Sequence, residues 1–370
     1  MTKIEYDKLN NYLNQLCLVL DKNNPFLLNN LFGMLKINDS FYSKFRKYEK
    51  KVENIENKLT FDEVIEISKE IINYINPKYL KQFEEYESTG KIDFNYEDKK
   101  NITSEFRSGS YERYTRNDNK YIMIKEQTPY ILISRKFNYD DVIILIHEFF
   151  HSLNRNGPQN INNSYLTEFI SIYFETVASE YLVNQKGVKI NEINLYHRLD
   201  DCINCSRDAL LFEYPVISFI KFGNIDENTY KFLDKYIRMK KENEIDDNSK
   251  NYFLNECKRL LSVFEKNKDK FKNDEEFFYD FSGYMMNCYK YVIGTLLAFY
   301  SKEKLPMEKM IYLNDNINNF DFNMLNPLEA LNKIGIDAFD KNFFETACNG
   351  FEKYLKNMED INEKGEVCLK

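Results

Sequence analysis

The segment His147-Glu148-Phe149-Phe150-His151 sets two imidazoles four residues apart with a carboxylate after the first, in a chain with only three histidines. On a helix, positions i and i+4 share a face, so both rings can bind one zinc ion. Glu148 is turned by about 100° from His147 and leans over the open coordination position, where a carboxylate can take a proton from water. From Val142 to Leu153 the motif residues alone are ionisable. A catalytic zinc needs a third protein ligand and a vacant position. No histidine follows within a few residues, so the candidates are Glu168, in Thr167-Glu168-Phe169-Ile170-Ser171, and Glu175, two turns further along the same face. The remaining histidine, His197, reads as a bystander. Cys202-Ile203-Asn204-Cys205 stands without a second cysteine pair and reads as two incidental thiols.

These side chains need two helices to hold them. Asn138-Tyr139-Asp140-Asp141 is a polar start with two acids in the first turn, and the apolar helix it opens should run to about Leu153, before Asn156-Gly157-Pro158. A second long helix is expected from about Tyr165 to Asn184, closed by Lys186-Gly187. Ahead of them, Tyr121-Ile122-Met123-Ile124 and Tyr130-Ile131-Leu132-Ile133, separated by a turn with Pro129, look like a small sheet. The second run could offer an edge to an extended peptide. Further upstream, Thr60-Phe61-Asp62-Glu63 has capping-box spacing, and Val64, Ile65, Ile67, Ile71, Ile72 and Ile75 repeat as one helical face until Pro77. Beyond residue 190 the periodicity is helical, with a charged stretch at 240–250 expected as a solvated loop.

Scarce Gly (11) and Pro (7) over 370 residues favour long helices, so the expected class is mainly α. Acidic residues outnumber basic ones 59 to 51, for a net charge of −8, which argues against a nucleic-acid partner. The first residues lack a signal-peptide pattern, and the longest apolar stretch is Val142 to Ile146, so no membrane partner is expected. Seven scattered cysteines suit reduced thiols and a cytoplasmic location.

Several segments together carry a family resemblance. Arg107-Ser108-Gly109-Ser110-Tyr111, Pro129 to Ile133, Asp141 to Leu153, Glu168 with Ser171, Glu175 and Ser179-Glu180-Tyr181-Leu182, then Pro327 to Asp337 and Phe343 to Leu355, resemble the thimet oligopeptidase and oligoendopeptidase F family of zinc metallopeptidases, which are gluzincins. The resemblance implies a two-lobed, mainly helical, zincin-like fold with a small β-sheet next to the zinc helix. Residues 1–100 would form a shortened N-terminal helical lobe and 101–370 the catalytic domain. It implies one zinc per chain held by His147, His151 and Glu168, with Glu148 as general base. Glu175 then orients an imidazole, or is the alternative ligand. Gly283 to Tyr291 resembles the family's tyrosine-rich helix, which implies Tyr291, or else Tyr284, as the donor to the substrate carbonyl. The expected activity is that of a zinc-dependent endopeptidase or oligopeptidase acting on short peptides. Phe150 stands where the family usually has glycine, and Tyr279-Asp280-Phe281 lacks the family's histidine. These departures motivate one alternative, a catalytically weakened peptide-binding protein that keeps its zinc; a zinc hydrolase of a non-peptide amide is a second.

Overall fold

The computed structural model describes residues 58–93, 104–107, 111–117, 120–126, 130–133, 137–154, 164–188, 287–317, 327–337 and 342–364, with a few residues of 3–8 and 255–269. The stretch at 240–250, His197, Cys202, Cys205 and Tyr284 lie outside them. Among the described residues the protein is mostly helical, and none of its helices is long and apolar enough to cross a membrane.

Helix α1 (Phe61–Ile75) starts on the capping box: the Glu63 amide donates to Thr60 Oγ1, and the Thr60 amide donates to Glu63 Oε2 at 2.7 Å. Its buried face is Val64, Ile65, Ser68, Ile71, Ile72 and Ile75. Ser68, not Ile67, fills the middle of that face, because its hydroxyl donates to the Val64 carbonyl at 2.7 Å and so enters the core with its polarity satisfied. Asn76 ends α1 and caps α2 (Pro77–Ser88), whose first residue is the proline. Pro77 therefore opens a helix, a position where its missing N–H costs nothing.

Five short strands follow: β1 (Ile92–Asp93), β2 (Ser104–Arg107), β3 (Tyr111–Asn117), β4 (Lys120–Glu126) and β5 (Tyr130–Ile133). They make two sheets. One has the order β1-β5-β2, with β5 parallel to β1 and antiparallel to β2; the other is the antiparallel pair β3-β4. Two expectations are corrected here. Tyr121 to Ile124 pairs with β3 and not with β5, in an antiparallel ladder from Asn117 opposite Lys120 to Tyr111 opposite Glu126. The strand β5 has a neighbour on both sides, β2 along all four residues and β1 at Ile131 and Leu132, so it is not the free edge expected for a peptide.

Both β2 and β5 lie against α3 (Tyr139–Leu153), which also packs on α1, so a small sheet does sit beside the motif helix. Helix α4 (Ser164–Lys186) is followed by Gly187 at φ +67°, a left-handed end that favours glycine. Then come α5 (Asn287–Lys304), α6 (Met307–Asn316), α7 (Pro327–Ile334) and α8 (Phe343–Lys364), with Gly335 at φ +96° after α7.

The chain divides into two compact units. One comprises 1–49, 159–165 and 198–293, and the other 50–158, 166–197 and 294–370. The second unit holds α1 to α3 and most of α4, and its core includes the fully buried Phe83, Tyr86, Phe149, Phe150, Phe169 and Phe174.

Candidate metal centre

The start of α3 is fixed before its motif is reached. Asn138 Oδ1 accepts from the Asp140 amide at 2.9 Å, as an N-cap should. The buried Asp141 carboxylate accepts from the Phe137 amide at 2.9 Å, and the Phe137 carbonyl accepts from the Leu59 amide at 2.8 Å. Phe137 itself is held at φ 62°, a conformation that side chains other than glycine rarely adopt. Two residues of the motif then anchor the helix. Phe149 meets Phe83 and Tyr86 edge-on, with ring centroids 5.3 and 6.1 Å away. Phe150 stacks on Phe174 of α4, with centroids 3.9 Å apart and planes at 15°. The bulk of Phe150 is thus taken up in packing between α3 and α4.

With the two helices locked in this way, three donor atoms converge. His147 Nε2 is 3.0 Å from His151 Nε2 and 3.7 Å from Glu168 Oε2, and His151 Nε2 is 3.5 Å from the same oxygen. A tetrahedral ion with bonds of about 2.1 Å separates its ligand atoms by about 3.4 Å, and the three separations bracket that value. His147, His151 and Glu168 form a group that could hold a metal ion. His147, Glu148 and Glu168 are buried and His151 is half-buried, so the centre is most accessible on the His151 side.

Glu175 meets a different atom. Its Oε2 lies 2.9 Å from His147 Nδ1. A carboxylate oxygen can only accept, so Nδ1 carries the proton and a neutral ring presents its lone pair at Nε2, towards His151 and Glu168. Behind Glu175, Ser179 Oγ donates to the Glu175 carbonyl at 3.1 Å. Tyr354 of α8 is also close by: burial first, then the Glu180 and Glu175 carboxylates, push its hydroxyl far above the ordinary range, against a Ser179 hydrogen bond. Nothing in the sequence distinguishes Tyr354 among 28 tyrosines.

Of the other expected residues, Glu148 occupies the α3 position after His147. Tyr291 is half-buried near the start of α5, with Lys290 Nζ 4.7 Å from its ring centroid, and belongs to the other compact unit.

No protein-family model matches the chain, and no curated protein matches it. Among solved structures, one described as PZ peptidase A with inhibitor 2 aligns with 98% of this chain and 60% of its own, at 12% identity and a TM-score of 0.48. The chain therefore spans about three fifths of the length of that structure.

Proposed function

We propose that this chain is a zinc-dependent peptidase of the HExxH type that hydrolyses short peptides, an oligopeptidase of the gluzincin kind working in the cytoplasm. The observation that carries the reading is the convergence of His147 Nε2, His151 Nε2 and Glu168 Oε2 at spacings suited to one small ion. Two nitrogens and one oxygen are a donor set that zinc accepts, and a three-ligand site leaves room for water and substrate.

Bound there, zinc supplies Lewis acidity to the scissile carbonyl and to the attacking water. The chain's own groups do the rest. Glu148 takes the proton from the attacking water and delivers it to the leaving amine. Glu175 holds His147 by its Nδ1 proton, which fixes both the tautomer and the ring plane. Tyr291, with Tyr284 as the alternative, donates a hydrogen bond to the oxyanion.

Turnover of short fluorogenic peptides tests this reading. The zinc-loaded protein should cleave them, a chelator should stop the reaction, and added zinc should restore it. Cleavage that survives complete removal of metal would overturn the proposal.

A further inference from the structure

Gly294 lies inside α5, where glycine is a poor helix former, and it is buried together with its neighbours Val292, Ile293, Leu296 and Leu297. The reason for a glycine there is the close approach of α4. A Cβ added at Gly294 would lie 3.1 Å from Glu168 Cβ, 3.1 Å from the Phe169 amide nitrogen and 3.3 Å from the Glu168 carbonyl carbon. Carbon atoms prefer separations of about 3.5 to 4.0 Å, so all three contacts would be too tight. Two of the three atoms are backbone, and the third, a Cβ, moves only with its backbone. None of them can rotate away.

The residue met in this way is the one on α4 whose carboxylate reaches both histidine Nε2 atoms. A shift of a few tenths of an ångström at its Cα and Cβ passes to Oε2, where metal–oxygen bonds tolerate only about ±0.2 Å. We infer that Gly294 is a positioning residue for Glu168: by carrying no side chain, it lets α5 set the depth at which the carboxylate enters the metal centre. The inference rests on the proposed metal-site reading. It makes Gly294 a determinant of metal affinity and of ligand geometry, through Glu168 and without any contact with the ion.

The test compares the full-length parent with Gly294→Ala, with Gly335→Ala as the control. Gly335 lies at φ +96°, with only Leu305 Cδ2 near its missing Cβ, at 3.8 Å. Alanine there should strain the backbone and lower the thermal midpoint without changing zinc affinity. Zinc affinity is read by chelator competition, and ligand geometry by the visible absorption of the cobalt-loaded protein. Gly294→Ala should keep the parent's circular dichroism, bind zinc about tenfold more weakly, at the low end of what losing an orienting partner costs, and alter the cobalt bands. Parent-like affinity and bands in Gly294→Ala would overturn this inference alone. An unfolded Gly294→Ala would also overturn it, because the glycine would then hold the helix pair together and not one ligand. A parent that binds neither ion would overturn the metal-site reading and this inference with it.

Discussion

Glu168 and Glu175 lie on one face of α4 but meet opposite ends of the arrangement, the first at the two Nε2 atoms and the second at His147 Nδ1. Glu168→Ala should therefore abolish stoichiometric zinc after dialysis. Glu175→Ala keeps all three donors and should bind about 10- to 100-fold more weakly. Metal analysis of both dialysed variants checks this, and the reverse ranking would exchange their roles. The strain at Phe137 gives an independent prediction. Its left-handed backbone is one that glycine adopts without strain, so Phe137→Gly should raise stability by about 1 kcal/mol in thermal denaturation. The pairing of His147 with His151 is legible in the sequence because helical spacing alone puts the two rings on one face. Helical spacing alone does not choose between Glu168 and Glu175, since it puts both acids on one face; the family resemblance favours Glu168, and the docking of α4 on α3 brings its carboxylate towards both Nε2 atoms.

That docking depends on aromatic packing. Phe150→Ala would empty a fully buried site stacked on Phe174 and should cost about 3 to 5 kcal/mol in chemical denaturation. At α1 the capping box makes a pH prediction. The Thr60 backbone amide, then the Thr60 hydroxyl, hold the Glu63 carboxyl below its ordinary value of 4.5. A lowered folded-state value means that the contribution is present above pH 4.5 and is lost as pH falls through the folded-state value. The gap in thermal midpoint between the parent and Glu63→Ala should accordingly be open at neutral pH and close in acid. The helices α1, α3 and α4 could be read from caps and periodicity, because each signal lies within one element. Strand pairing could not. The sequence of β3, Tyr-Glu-Arg-Tyr-Thr-Arg-Asn, carries no apolar run, and without it β4 reads as the partner of β5.

The candidate centre lies wholly in one compact unit, yet that unit is assembled from three separated stretches of chain. Composition along the sequence indicated a mainly helical protein, but it has no means of pairing 50–158 with 294–370. Folding of this unit and occupancy of its centre should be linked. A ligand held only by the folded state adds about 4 kcal/mol at a thousandfold excess over its dissociation constant, so chelation should lower the thermal midpoint and zinc should restore it. The most direct measurement of the central claim is a mass-spectrometric digest of a mixed peptide library by the zinc-loaded parent and by Glu148→Gln, with zinc content determined on both. The account predicts that both proteins hold zinc and that only the parent cleaves. Equal cleavage by both, or zinc held by the parent with no cleavage at all, would contradict it.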